Sequence, residues 1–380
     1  MKLKNTYIPE NYDYLIVGAG LFGAVCANIL KERGFKICII EKSNHIGGTC
    51  YTEVKDNIII HKYGAHIFRT SDKAIWEYVN KFATFNNFIN SPVAIAGDGR
   101  AYNLPFNMNT FSKVWPEVTT PHDANQKINS ESKKYSAEPD TNLEIHAKKL
   151  VGDTLFYLLI KDYTEKQWGT TCDKLPPEII RRIPLRFTYD NNYYYDAFQG
   201  IPIGGYTKMI EKMIEDSDIL LNTTFNYDEY KKIVKKNKKL KIIFTGPIDE
   251  FFNYELGCLE YRGLRFEEKT YKNTSNYQGN AVLNYTSHNV KYTRSIEHRF
   301  FDSVESPNTI ISYEYPTNWK KGDYPFYPLN NTKNEKLHSS YKELASKEQQ
   351  LVFAGRLGSY KYYDMQDTIK AALSLASKLF

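Results

Sequence analysis

Cysteine is scarce in this chain: five residues in 380, at Cys26, Cys38, Cys50, Cys172 and Cys258. They are odd in number and dispersed, and no C-x-x-C pair occurs, so neither a disulfide framework nor a metal site is expected and a reducing, cytoplasmic setting fits best. A long apolar run is missing too. No stretch approaches the ~20 apolar residues of a membrane span, and "MKLKNTYIPENYDYLIVGAG" has no signal-peptide apolar core, so a soluble internal protein is expected. Charge of one sign is also lacking, with 50 Lys+Arg against 44 Asp+Glu, a net +6. The lysines are scattered, and the densest basic run, "KKIVKKNKKLK" (231–241), reads as a solvated helix and turn, so no nucleic-acid partner is expected. Internal repeats and low-complexity tracts are absent.

What the chain does have is length for two or three packed units and 31 tyrosines. Tyrosine joins a flat apolar face to a hydroxyl and suits a polar ligand cleft. The clearest local statement is "YDYLIVGAGLFGAVCANILKERGFKICIIEK" (12–42). Leu15–Val17 reads as a buried strand and Gly18-Ala19-Gly20-Leu21-Phe22-Gly23 as a tight turn. A helix follows, with Phe22, Val25, Cys26, Ile29 and Leu30 on one face, and "KICIIE" is a second buried strand closing on Glu41. This is a βαβ unit with G-x-G-x-x-G in register. Its glycines let the backbone approach a pyrophosphate at the helix N-terminus, and Glu41, about 20 residues on, meets a ribose diol.

The segment "HIGGTCY" (45–51) and the closing strand, turn and helix of "LVFAGRLGSYKYYDMQDTIKAALSLASKLF" favour FAD over NAD. The last helix starts near Met365 and Gln366, where its dipole would favour negative charge on a reduced flavin. Between these ends the pattern changes. Residues 104–150 are polar and helical, with Thr120 an N-cap before Pro121, and "NLEIHAKKLVG" reads as a short helix ending at Gly152. "TLFYLLIKDYTEKQW" is another helix. Segments 201–227 and "LKIIFTGPIDEFF" return to the nucleotide domain, and 259–315 alternates as an antiparallel sheet.

The fold expected is therefore α/β, a Rossmann-like FAD-binding domain with a helical insert and an antiparallel β-sheet insert. The FAD-binding parts are 1–100, 191–247 and 331–380. The helical substrate domain is 101–190, with a mobile lid around 169–184, and the β-sheet substrate domain is 248–330. "YTEKQWGTTCDKLPPEIIRRIP" (163–184) puts an aromatic platform, hinge residues Gly169 and Pro176-Pro177, and guanidinium groups Arg181 and Arg182 on one strip.

Several blocks in one order make the chain resemble the UDP-galactopyranose mutase family: "YDYLIVGAGLFGAVCAN", "HKYGAHIFRTSDKAIWEYVN", "LPFNMNTF", "YTEKQWG", "IIRRIPLRFTYDNNYY", "QGIPIGGYTK", "TGPIDEFF", "YTRSIEH" and "GRLGSYKYYDM". The resemblance implies an isomerase that contracts a pyranose ring to a furanose without net oxidation. It further implies that reduced FAD N5 would attack the anomeric carbon while UDP is held nearby. It implies that Arg182 and Arg294 clamp the diphosphate by charge-assisted bonds. It places Tyr163 and Thr164 at the uracil, with Trp168, Tyr193, Asn284, Tyr327, Tyr362 and Asp364 around nucleotide and sugar, joined by Asn90. Which tyrosine of "NNYYYD" takes the role stays open.

The implied cofactor residues in the N-terminal part are Gly18, Gly20, Phe22, Gly23, Ala24, Glu41, Lys42, Gly48, Thr49, His66 and Ile67. Later parts add Thr224, Phe225, Arg356, Tyr363, Asp364, Met365, Gln366 and Thr368. A homodimer is a further implication. Three positions depart from the pattern. Arg69 stands where histidine is usual, and its added donors suggest acceptance of UDP-N-acetylgalactopyranose as well as UDP-galactopyranose. Thr49 and Lys361 are milder departures. Two other readings compete: an FAD-dependent oxidoreductase of the amine oxidase type, and a non-catalytic UDP-sugar-binding flavoprotein.

Overall fold

A run such as "YLIV" has no polar face, so it forms a stable strand only where both faces are covered. In the computed structural model, which describes residues 11–180, 184–302 and 304–379, Tyr14–Val17 is the central strand of a five-stranded parallel sheet. The strand order is Leu351–Phe353, Lys241–Phe244, Tyr14–Val17, Ile37–Ile40, Asp218–Leu220. Side chains alternate between two cores. Tyr14 and Ile16 join the helices Leu21–Glu32, Gly205–Met213 and Met365–Lys378, whereas Leu15 and Val17 pack with Tyr230, Phe251 and Tyr341 from the opposite layer. This is the Rossmann-like part of the chain, and its strands come from residues 14–40, 218–244 and 351–353.

The turn into the first helix is fixed by its glycines. Gly18 has φ +112, and a Cβ on Gly23 would lie 2.0 Å from the Gly18 carbonyl oxygen. The helix then packs flush on the strand.

A second sheet has seven strands, in the order Tyr327–Pro328, Tyr261–Tyr271, Thr309–Asn318, Arg294–Glu297, Val282–Tyr285, Val93–Ile95, Ala101–Asn103. Residues 259–315 supply its antiparallel centre, as their alternation indicates. The sheet as a whole is mixed, because Val93–Ile95 pairs in parallel with Val282–Tyr285. The hairpin 93–103 therefore straddles the boundary expected at residue 100 and carries both its arms into this sheet.

The helical insert has its own core of Phe106, Phe111, Trp115, Ile128, Leu143, Val151, Leu155 and Phe156. Thr120 and Asp123 form a reciprocal capping box with Pro121 at the first helical position. Gly152 interrupts the regular helix where its end is expected. It sits at φ +77 in a kink within Leu143–Leu155, because the Glu131 carboxylate accepts from Thr154 N at 2.9 Å and caps a new turn. One π-helical turn, Phe156–Ile160, leads into the helix Lys161–Trp168, which stops at Gly169 with φ +68. Among the described residues no helix is long and apolar enough to cross a membrane.

Candidate active site

The C-terminal ends of the parallel strands open into one cavity of about 1190 Å³, larger than the ~300–1,000 Å³ of a site for one small ligand. Val17, Ile40 and Phe244 line its floor at the point where the strand order reverses.

One half is suited to an anionic dinucleotide. The helix Leu21–Glu32 begins at Gly20 with no side-chain cap and no acidic residue in its first turn, leaving N–H groups of its first turn for an anion. Gly18, Gly20, Phe22, Gly23, Gly48, Thr49, Thr224, Phe225 and Arg356 line the cavity. Glu41 is buried and its two oxygens accept from Ala19 N and Ser43 N, each at 2.8 Å. It thereby fixes the loop and still has lone pairs for a diol. Lys42, at the rim, pairs with Glu250 at 3.3 Å. Ala24 is the exception: wholly buried, it packs beneath the turn and does not line the cavity.

The other half is polar and aromatic. His66 and Ile67 lie between the two. His66 Nδ1 bonds the Gly64 carbonyl at 2.8 Å, and burial, with Arg356 and Arg294 nearby, pushes the imidazole down to about 4. His66 is thus neutral at physiological pH and leaves Nε2 as an acceptor. Arg69 donates to Asp196 at 2.7 Å and Asp364 at 3.0 Å, and its guanidinium lies 4.8 Å from the Tyr194 ring centre. Asp364 also caps the helix Met365–Lys378 through Asp367 N at 2.8 Å. Tyr363, Met365, Gln366 and Thr368 line the cavity beside it.

Arg294 enters from the seven-stranded sheet. Its Nε and Nη2 both donate to Glu314 Oε1, at 3.1 and 2.7 Å. Burial opposes the charge, but Glu314, Tyr163 and Tyr327 hold the guanidinium well above its ordinary value. Of its five N–H donors Glu314 uses two, so three remain for a ligand. Tyr327 and Tyr362 face one another at 6.1 Å and also line the cavity. Tyr163, on Lys161–Trp168, reaches Asn284 Oδ1 at 3.5 Å. Burial raises its phenol to about 12 despite the opposing Arg294, so it is a hydroxyl donor across the working range.

A family profile described as UDP-galactopyranose mutase matches residues 158–362, and one described as NAD(P)-binding Rossmann-like domain matches 16–82. A probable UDP-galactopyranose mutase of Klebsiella pneumoniae is 37% identical over 374 residues, covering 97% of this chain and 95% of that protein. The chain belongs to the UDP-galactopyranose mutase family. It is accordingly an isomerase, an intramolecular transferase. A dTDP-fucopyranose mutase of Escherichia coli is 35% identical over 367 residues, covering 95% and 97% of the two chains. The fold matches a crystal structure of reduced UDP-galactopyranose mutase with TM-score 0.72 at 14% identity, covering 96% and 93%.

Within this mutase-family site the sequence expectations fare unevenly. Tyr193, Tyr194 and Tyr195 all line the cavity, so the motif "NNYYYD" supplies three walls where one was expected. Asn90 is set just behind, its carbonyl accepting from Tyr193 N at 2.7 Å. Asn284 and Tyr163 adjoin Arg294 without lining the main cavity. Thr164 is buried and Trp168 packs against the helical core, so neither is in the cavity. Arg182 lies outside the described residues, as does Arg181.

Sequence reasoning missed Arg186, four residues on, which is buried, lines the cavity, donates to Tyr193 O at 2.9 Å and stacks 3.4 Å from the Tyr195 ring centre. It also missed Glu314. The available signal was an acid at an inward position of an alternating strand, after Ile310 and Ser312.

Proposed function

We propose that the chain interconverts UDP-galactopyranose, and UDP-N-acetylgalactopyranose, with their furanose forms, using reduced FAD as cofactor. The observation that carries this reading is the continuity of the cavity from the open helix end at Gly20 to Arg294 and Arg69. At about 1190 Å³ it exceeds a site for one small ligand, as a dinucleotide beside a nucleotide sugar requires. The fit of FAD rests on residues already described: Gly18–Gly23 for the pyrophosphate, Glu41 for a ribose, and His66, Ile67 and Met365–Thr368 along the inner wall. Bound reduced FAD would supply the nucleophile, N5, for the anomeric carbon.

The protein's own part is to hold and orient. Arg294, preset by Glu314, takes a diphosphate oxygen with its free N–H groups, and Arg182 is proposed as the second clamp. Tyr163, Asn284 and Tyr193 bound the base and ribose. Tyr327, Tyr362 and Asp364 bound the sugar. No residue here need be a covalent nucleophile, and the four buried cysteines are unsuited to it: burial drives the Cys38, Cys50 and Cys172 thiols up to about 12 and Cys26 higher still. Homodimer assembly, a cytoplasmic setting and supply of a furanose precursor for surface polysaccharide complete the reading, supported by the family resemblance.

The test is incubation with UDP-galactopyranose, dithionite and FAD, with chromatographic detection of the furanose isomer. Product is expected only when the cofactor is reduced, and equal conversion with oxidised cofactor or none overturns the reading. Because a dTDP-fucopyranose mutase is almost as similar, dTDP-fucopyranose belongs in the same assay, and its exclusive use would transfer the activity to that nucleotide.

Arg69→His adds a second prediction. An imidazole cannot span Asp196 and Asp364 together, so the wall at 193–196 loosens. The ratio of kcat/KM for the N-acetylated over the plain sugar is expected to fall roughly tenfold, and an unchanged ratio excludes Arg69 as the selector.

A further inference from the structure

The helix Lys161–Trp168 is fastened to the seven-stranded sheet by two cations whose hydrogen-bond acceptors include no carboxylate among the described residues. Arg262 donates through Nε to Gln167 O at 3.0 Å and through Nη1 to Asn318 Oδ1 at 2.7 Å, closing the C-terminal end of the helix. Lys166 is the more unusual. Its Nζ lies 2.7 Å from Tyr285 O, 2.8 Å from Ser287 O, 2.9 Å from Val290 O and 3.3 Å from Tyr292 O. An ammonium has three donors, and four carbonyls converge on it. Tyr285 ends the strand carrying Asn284, and the other three belong to the turn that joins it to the strand beginning at Arg294. One side chain therefore ties the helix bearing Tyr163 to both arms of that turn.

We propose that Lys166 is a positioning residue for the nucleoside diphosphate: its ammonium sets the spacing between Tyr163 and Arg294, and hence nucleotide affinity, without touching the ligand. This rests on the placement of the nucleotide under Proposed function.

The cage needs the charged form. A neutral amine offers two N–H donors and turns a lone pair toward the remaining oxygens, which repels them. Burial pushes Lys166 down to about 8, opposed by Asp162 one turn earlier. The other charged or titratable groups around it are Glu165 and Lys161 on the same helix, His288 and Tyr292 on the turn, Tyr285 at the end of the strand before it, and Arg262 on the neighbouring strand. The folded value lies below the ordinary lysine value, so between about pH 8 and the ordinary range the folded chain binds fewer protons than the unfolded one. Fold stability then rises through that window while the cage opens. Nucleotide affinity and stability should move in opposite directions, which a merely structural lysine would not produce.

The test is calorimetric titration of the cofactor-loaded protein with UDP, alongside thermal unfolding, between about pH 7 and about pH 9. Wild type is expected to lose roughly tenfold in affinity with a midpoint near 8, with no loss of thermal stability attributable to this group. Lys166→Met should bind roughly tenfold more weakly at neutral pH and show no such step. Lys166→Arg, charged throughout, should keep most of the affinity and also lack the step, which separates titration of UDP itself. Wild-type affinity in Lys166→Met, or a wild-type profile parallel to that of Lys166→Arg, overturns the proposal. If Lys166→Met fails to fold, the latter comparison decides. A wild type that does not bind UDP at all overturns the nucleotide reading itself, and is distinguished from failure at Lys166 by that fact.

Discussion

Arg294→Ala is expected to lower turnover of the UDP-sugar by roughly 10²–10³-fold, about 3–4 kcal/mol of transition-state stabilisation, while cofactor stays bound and thermal stability falls because the buried Glu314 loses its cation. The argument is geometric. Glu314, wholly buried on the strand Thr309–Asn318, fixes one edge of the guanidinium through Nε and Nη2, so the opposite edge points at a ligand without rotamer loss. In the proposed reaction that edge would meet a leaving diphosphate whose charge grows as the sugar bond breaks, and interactions that strengthen toward the transition state lower kcat as well as kcat/KM when removed.

Glu314→Gln is the companion variant. The amide keeps the shape but loses the charge, so Arg294 remains present and less well aimed, and a loss of about tenfold is expected. Steady-state kinetics under dithionite check both. Turnover by Arg294→Ala within about threefold of wild type would remove Arg294 from the diphosphate. His66 stays neutral and the Tyr163 phenol stays protonated between about pH 6 and pH 8, so neither should give kcat a step there.

The parts of this architecture that were readable from the sequence are those written in neighbouring residues. Gly18 and Gly23 announce a tight turn because only backbone without side chains fits there. Thr120 and Pro121 announce a helix start because a hydroxyl cap precedes a ring whose fixed φ suits the first turn. The unreadable parts depend on partners distant in the chain. Val93 pairs with Leu283, and nothing in "SPVAIAG" says that its neighbour will be a strand from the β-rich insert. Gly152 reads as a stop, yet Glu131 from another helix restarts the chain. Lys166 is one lysine among many until four backbone carbonyls are folded around it. Backbone carbonyls carry no sequence signature, so a cation that binds only them escapes any pattern search. Carboxylate partners are easier: Arg69 stands out as an unusual residue in its motif, and Asp196 and Asp364 then account for how its charge is held.

Gly23→Ala should cost the protein its cofactor. A methyl at this position would lie 2.0 Å from the Gly18 carbonyl oxygen and 3.2 Å from both Gly18 C and Ile16 Cγ2. The closest obstacle is backbone, which cannot rotate away, so the helix Leu21–Glu32 must lift from the strand and take its N-terminal N–H groups with it. Overpacking of this kind costs about 1–3 kcal/mol, and the anion site at the helix end is dismantled by the same movement. Gly20→Ala is the contrasting variant. Its φ of −76° suits any residue, and its methyl would meet nothing in the protein nearer than Gly48 Cα at 3.7 Å. That methyl projects into the mouth where the dinucleotide backbone is proposed to pass, so Gly20→Ala should unfold like wild type yet bind flavin at least about tenfold more weakly. Absorbance of bound flavin after desalting, read beside the unfolding temperature, separates the two. Gly23→Ala purified with a full complement of cofactor would show that the close approach of helix and strand is not what shapes the site. Wild-type flavin affinity in Gly20→Ala would move the pyrophosphate elsewhere in the cavity.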